Sequence, residues 1–430
     1  MTTPAGWERK TLGELGRYLN GRAFKKQEWR STGRPIIRIQ NLTGSSDIFN
    51  SFEGEVDDRF VVRPGDLLVS WAATLGAYIW TGPEAVLNQH IFKVESNIDL
   101  KFHKYLLDHK LDELMRHTHG SGMVHITRGR FDALPVDIPP LDEQRRIVDL
   151  LEDHLSRLDA ADRGLSLSLA KLDGLREQAI RQAITAAHLP GRVAPVLADL
   201  GTNDDNLPSL PVGWSWERLG DVADVVGGVT KDAKKQGNPS FKDVPYLRVA
   251  NVQRGHLNLN TVTHIRVDPA KATALRLQTG DVLMNEGGDR DKLARGWVWE
   301  GQIDNCIHQN HVFRARIHEP RLDPYFLSWT TNTFGGRWAE RNGKQSVNLA
   351  SISLSTIRRM PVIVPPAGVA SDVVSRLRDQ LESYNRLAGV MAGSRTRGGA
   401  LRRALLAAAF DGRLTNSKRL DERLESVLSV

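Results

Sequence analysis

Two histidine pairs, His117/His119 and His308/His311, stand at spacings that could ligate a metal ion. A catalytic zinc site needs a third ligand and an open position, and neither pair sits in a helical His-Glu-x-x-His frame. Both pairs therefore read as loop and core histidines. Gly343-Lys344-Gln345 places a lysine behind a glycine, but it lacks the phosphate-cradling spacing and the Ser/Thr that would hold magnesium. Scattered Asp and Glu form no acidic cluster with a partnered lysine, as a nuclease would need. Cys306 is the single cysteine, which excludes an intrachain disulfide and a Cys-cluster metal site. What remains are polar and basic side chains. Arg, Lys, Asn, Gln, Ser and Thr present donors and acceptors that match base edges and phosphates. In the first half the candidates are Asn20, Arg22, Lys25, Lys26, Arg38, Gln40, Asn41, Ser70, Thr74, His125, Arg128 and Arg130. In the second half they are Lys231, Lys234, Lys235, Arg248, Asn251, Asn285, Arg290, Arg295, Lys344, Ser346 and Asn348. A net charge of +7 permits nucleic-acid binding without requiring it.

One further motif bears on catalysis. Asn238-Pro239-Ser240-Phe241 is similar to the Asn-Pro-Pro-Tyr/Phe motif of amino-methyltransferases, but its third residue is serine. No Phe-x-Gly-x-Gly loop for S-adenosylmethionine accompanies it. The chain reads as non-enzymatic, with no metal site and no cofactor of its own.

The elements that must position these side chains occur twice. Gly6-Trp7-Glu8-Arg9, with Leu12-Gly13-Glu14 behind it, returns as Gly213-Trp214-Ser215-Trp216-Glu217-Arg218 and Leu219-Gly220-Asp221. Residues 35–41 return at 245–251, Pro64-Gly65-Asp66-Leu67-Leu68 at 279–283, Asn88-Gln89-His90-Ile91-Phe92 at 309–313, and Ile138-Pro139-Pro140 at 364–366. The offset widens from 207 residues at Gly6/Gly213 to 226 at Pro139/Pro365, so the second copy carries loop insertions between fixed framework elements. A repeat this long is a duplicated domain. Repeated positions such as Arg38/Arg248, Asn41/Asn251 and His90/His311 are candidates for framework, because specificity should reside where the copies differ.

Each copy closes on a helix. After Pro139-Pro140, an apolar stripe runs through Leu151, Leu155, Leu158, Ala161, Leu165, Leu169, Leu172, Leu175, Ala179 and Ala183 at spacings of three and four. That is the width of a coiled-coil seam. A helix over residues 141–187 would be about 70 Å long at 1.5 Å per residue. The second copy carries Val373, Leu377, Leu381, Tyr384, Leu387 and Met391, resuming at Leu401, Leu405 and Ala408. Gly389, Gly393, Gly398 and Gly399 lower its helicity by roughly 1 kcal/mol each, so this helix needs a partner more than the first. The stripes are most simply satisfied by each other, as an antiparallel pair. Residues 36–39, 66–70 and 91–94 read as short strands, and so do 246–249, 281–284 and 312–315. Helical stretches such as 101–116 interrupt them without regular alternation, which favours α+β over a doubly wound sheet. The expected order is a recognition domain over residues 1–140, a spacer helix over 141–188, a linker over 189–212, a second domain over 213–366, a second spacer helix over 367–412 and a tail over 413–430.

Hydrophobic residues at 40% and charged residues at 25% are ordinary globular usage. No apolar run reaches the roughly 20 residues that span a bilayer, and the N-terminal residues lack a signal-peptide pattern. The expected location is the cytoplasm, with no membrane contact.

The order of these elements resembles the specificity (S) subunit of type I restriction–modification systems. Each half of that family begins near Gly-Trp-x-x-x-x-Leu-Gly-Glu, seen here at residues 6–14 and 213–221. Each closes on Pro-Pro-Leu-x-Glu-Gln-x-x-Ile, matched at residues 139–147. Its spacer helices end near Ala-Phe-x-Gly-x-Leu, matched at residues 409–414 and more loosely at 188–193. The second half departs from the pattern: Pro365-Pro366-Ala367-Gly368-Val369-Ala370 lacks the Glu-Gln pair. The resemblance implies two target recognition domains, each reading half of a split, asymmetric site in double-stranded DNA. It also implies paired helices that fix the separation and dock two methyltransferase subunits, with restriction (motor-nuclease) subunits joining them. S-adenosylmethionine would then lie on the methyltransferase partner, and ATP and Mg on the restriction partner. A bipartite DNA-binding regulator without a methyltransferase is the alternative. A fusion-type restriction enzyme would need a catalytic segment that the chain does not show.

Overall fold

The computed structural model describes residues 3–72, 74–117, 128–288, 292–345 and 350–415. The chain divides into two compact units, Met1–Ser166 with Met391–Val430, and Leu167–Val390. Each unit holds one copy of the repeat.

In the first unit, Glu8–Thr11 pairs antiparallel with Pro135–Ile138, tying the start of the copy to its end. A four-stranded antiparallel sheet follows, ordered Gly16–Asn20, Ile91–Ser96, Leu67–Ser70 and Gly76–Ile79. Leu67, Leu68, Val69 and Ser70 are all buried, which is why this central strand reads as an apolar run rather than an alternation. A second small sheet sets Arg34–Ile37 parallel to Ala85–Leu87. The helix Leu100–His117 is started by Asp99, whose Oδ1 accepts from the amides of Lys101 (3.0 Å) and Phe102 (2.9 Å).

The second unit repeats the main sheet and the closing strand pair of this plan. Ser215–Arg218 pairs with Pro361–Val364, and the four-stranded sheet runs Ala223–Gly227, Val312–Ile317, Val282–Asn285 and Gly296–Val298. Tyr246 and Leu247 pair parallel with Ile307 and His308, as Ile36 and Ile37 pair with Val86 and Leu87. Gly65 at φ +96° and Gly280 at φ +93° make the same turn into the same strand, a left-handed conformation that favours glycine. Asp323 caps Pro324–Thr330 as Asp99 caps its counterpart. The copies diverge beyond that cap. In the second, the helix passes through a π-helical turn, Thr331–Gly335, into Gly336–Asn342.

The long helices span Leu141–Ile184 and Val369–Phe410. Each begins in the core of its own copy and ends in the core of the other. Ile147, Val148, Leu151 and Leu155 are buried in the first unit, together with Leu405, Leu406, Ala409 and Phe410 from the second helix. In the second unit Ala370, Val374, Leu377 and Leu381 are joined by Ile184, with Ala179, Ile180 and Ala183 packed alongside. The helices pair antiparallel: in the first unit Arg402 pairs with Asp159 and Arg395 with Asp162, so rising numbers on one helix meet falling numbers on the other. Burial is thinner further along, where Leu167 is 73% exposed and Val390 63%. A Cβ added at Gly164, Gly174, Gly389, Gly393 or Gly398 would meet nothing within 4 Å, so these glycines do not serve close helix approach.

The linker between the first helix and the second copy is a strap. Arg192 and Val193 pair with Pro211 and Leu210, and Arg218, Arg341 and Arg359 donate to the carbonyls of Ala198, Asp205 and Leu200. Asp204 lies at its centre, accepting from Arg218 and from Trp338 Nε1 at 2.8 Å.

Each unit also buries one neutral histidine. Tyr18 Oη lies 2.8 Å from His103 Nε2, and Ser96 Oγ lies 2.8 Å from Nδ1. The second copy fills the matching positions with Val225, Leu327 and Ile317. In that copy His308 is buried instead, bonded through Nδ1 to Val312 O at 2.7 Å. Burial pushes both imidazoles down to about 4 from an ordinary 6.5. The folded protein holds them neutral while an unfolded chain would take up the protons, so stability is complete above about pH 6.5 and falls as pH drops toward 4. Each site is worth about 3 kcal/mol across that window at 1.36 kcal/mol per pKa unit. Urea unfolding at pH 7.5 and pH 5 should show both units weakened at the lower pH. The triple change Tyr18→Val, Ser96→Ile and His103→Leu should make the first unit insensitive; equal sensitivity in that variant would refute the assignment.

Candidate nucleic-acid interface

Backbone bonds draw the strand ends of the first copy to one edge. Gly21 N donates to Ile91 O at 3.0 Å, Arg22 N to Leu87 O at 2.8 Å, Asn88 N to Ile37 O at 3.2 Å, and Trp71 N to His90 O at 3.4 Å. The edge therefore gathers residues 20–22, 38–41, 70–72 and 88–90. The second copy repeats it: Val229 N donates to His308 O, Gln309 N to Leu247 O and Asn310 N to Val229 O, each at 2.9 Å, and Glu286 N to His311 O at 3.0 Å. Glycine is required at the crossing, since a Cβ on Gly21 or Gly228 would collide with the carbonyl oxygen of Asn88 or His308.

The repeated asparagines hold this edge together. Asn41 Oδ1 accepts from Arg38 N at 3.0 Å, and its Nδ2 donates to the carbonyls of Ser46 and Ile48. Asn251 does the same with Arg248 N at 2.9 Å and the carbonyls of Asn258 and Thr261. Their amides are consumed by the turn, so they are framework rather than base-contacting groups. Two more candidates need the same correction. Ser70 is fully buried and its Oγ donates to Thr74 O, while Asn285 is fully buried with Nδ2 donating to Val249 O and Val252 O. Both strand positions face inward, which residue type alone does not reveal.

Of the rest, Asn20, Lys25, Lys26, Gln40 and Thr74 are exposed in the first copy, as are Lys231, Lys234 and Lys344 in the second. Arg22 is half-buried, paired with Glu28 and lying over the rings of Phe24 (4.9 Å) and Phe52 (5.1 Å). Arg38 lies 5.3 Å from the centre of Trp29, and Arg248 and Arg295 are half-buried. Arg128 is tied to Tyr18 O at 2.8 Å and to Asp132, with Arg130 exposed nearby in sequence. His125, Arg290, Ser346 and Asn348 lie outside the described residues, as does the side chain of Lys235. The structure adds two exposed groups, Gln89 and His90, from Asn88-Gln89-His90, which returns as Gln309-Asn310-His311. His311, at the matching place, pairs with Glu286, while His308 is fully buried and bonded through Nδ1 to Val312 O. Among the described residues no group of three or more His, Cys, Asp or Glu side chains could hold a metal ion, and no helix is long and apolar enough to cross a membrane. Asn238 makes a local turn, its Oδ1 accepting from Ser240 N at 3.0 Å.

The two copies thus share one α+β plan, each with a polar edge at its strand ends and a long helix at its close. Residues 4–165 match the family model described as the type I restriction modification DNA specificity domain. The chain is 24% identical to the type I restriction enzyme EcoBI specificity subunit of Escherichia coli, covering 96% of this chain and 88% of that protein. It is 24% identical to the StySPI specificity subunit of Salmonella potsdam, over 97% of this chain and 91% of the relative. A chain solved in work on complex assembly and conformational transition of the type I R-M system superimposes with a TM-score of 0.68 at 17% identity, covering 96% of this chain and all of that one, a likeness of fold. Residues 4–165 thus carry the type I restriction modification DNA specificity domain, and nearly the whole chain is similar to type I restriction enzyme specificity subunits.

Proposed function

We propose that each copy reads one half of a bipartite, asymmetric site in double-stranded DNA, and that the chain directs partner subunits to it without catalysing a reaction itself. The carrying observation is the repeated edge, in which identical framework groups hold side chains that differ between the copies. Two readers of one duplex work together only if their spacing is fixed, and a continuous helix pair supplies a stiffer connection than a loop would. The same helices are the proposed docking site of two methyltransferase subunits, which would carry S-adenosylmethionine. Restriction subunits, with their ATP and Mg, would complete the nuclease in the cytoplasm.

Methylome sequencing of the host with and without this gene should show one split motif appearing and disappearing with it. The purified chain should transfer no methyl group, whereas the chain with its methyltransferase partner should modify that motif. Operator binding with no change in the methylome would favour a regulator instead, and robust methyl transfer by the chain alone would end the non-catalytic reading.

A further inference from the structure

Among the described residues of the first unit Ile48 is the most exposed large apolar side chain, at 79%, yet it does not sit on a loose loop. Its carbonyl accepts from Asn41 Nδ2 at 3.0 Å and its amide donates to Ser46 Oγ at 3.2 Å. The next residue, Phe49, is 37% exposed and sets the edge of its ring against Trp80, with ring centroids 6.2 Å apart. Backbone on one side and an aromatic anchor on the other fix the direction in which Ile48 points, which is outward.

The second copy has the same device with a different tip. Asn251 Nδ2 holds the carbonyl of Thr261 at 2.9 Å, and the following Val262 packs in the cluster that contains Trp299. Trp80 and Trp299 are themselves equivalent, since each carbonyl accepts the amide of the turn glycine, Gly65 or Gly280, at 2.8 Å. The turn is longer in the second copy: the asparagine reaches seven residues ahead to Ile48 but ten ahead to Thr261. Position 48/261 therefore points outward in both copies on a conserved mount, exposed in each, and carries isoleucine in one and threonine in the other. It adjoins Arg38, Gln40 and the strand-end edge described above.

Folding gains nothing from an aliphatic side chain held rigidly in water. A ligand group of matching chemistry would. On the major-groove edge of a base pair, the one apolar group is the 5-methyl of thymine, and aliphatic side chains or a threonine methyl pack on it. We infer that Ile48 is a specificity-determining residue of the first copy that contacts a thymine methyl group in its half-site. The inference rests on the reading of that edge as a DNA interface.

The test uses the specificity subunit assembled with its methyltransferase, and duplexes carrying the methylated motif found for this system. Each thymine of the half-site assigned to the first copy is replaced in turn by uracil, which keeps every hydrogen-bonding group and lacks only the methyl. One replacement should weaken wild-type binding roughly fourfold, the value of one buried methyl at about 0.8 kcal/mol. Ile48→Ala should weaken binding to the thymine duplex by a similar factor or more, and should no longer distinguish thymine from uracil at that position. Ile48→Thr, which installs the second copy's residue, controls for folding and should retain part of the discrimination. The inference is overturned if Ile48→Ala still distinguishes thymine from uracil as wild type does, or if no thymine in that half-site responds to replacement. Failure of the interface reading itself would look different: exchange of the whole first domain would then leave that half of the motif unchanged.

Discussion

Exchanging residues 7–137 for the matching segment of a relative should change one half of the methylated motif and leave the other half intact. The second copy has its own sheets, its own turn-holding asparagine and its own edge, so nothing in it depends on which side chains the first copy presents. The structure adds a condition to this exchange. The first unit is closed by residues that stay behind: Phe410 packs on Phe102 at 5.4 Å and stacks on His109 at 5.3 Å, beside Leu405, Leu406 and Ala409. A donor domain must therefore bring apolar groups of similar volume where Phe102 and Leu106 stand. A mismatch that left the Phe410 site empty would cost about 3–5 kcal/mol, as a large-to-small core change does. Methylome sequencing of the exchanged strain reads the outcome directly. Alteration of both halves by one exchange would show that the readers are not independent.

Asp204→Ala should destabilise the second unit by about 3–5 kcal/mol, an effect that no inspection of the linker's composition would suggest. Arg218, whose side chain is 6% exposed, is paired with this carboxylate at 2.8 Å, and removing the acid leaves a buried guanidinium without its counter-charge. The strap over residues 192–211 would lose its central fastening, including the bond from Trp338 Nε1. Thermal unfolding should show the loss, and limited proteolysis should cut within the strap. The double change Asp204→Leu with Arg218→Met removes both charges and should recover part of the stability, because an apolar pair carries no desolvation cost. An Asp204→Ala protein as stable as wild type, with an uncut strap, would show that the ion pair does not fasten it.

Much of the architecture was legible because it is written in periodicity and repetition. The stripe from Leu151 to Ala183 announces a helix whose observed span, Leu141–Ile184, nearly coincides with it, and the runs at residues 66–70 and 281–284 announce central strands. These signals are local: a helix or a buried strand imposes its own spacing on the residues within it. Repetition then showed which elements were framework, since two copies of one fold must keep the same turns.

Burial direction and long-range partnership were not legible. Ser70 and Asn285 are polar residues in plausible places, and only the sheets above them decide that they face inward. Asn41 and Asn251 stood as base-contact candidates by residue type and as framework candidates by repetition, and the turns that consume their amides decide for framework. The Gly-Asn-Asp-Pro-Ser composition of residues 190–210 fits a free linker, but Arg218, Arg341 and Arg359, reached from well outside that segment in the sequence, turn it into a strap. Composition and spacing thus determined that this protein is two copies of one mixed α+β domain closed by long helices. Which polar side chains are left over to meet a ligand was decided only in three dimensions, because hydrogen-bond satisfaction depends on partners that the chain brings together from far apart.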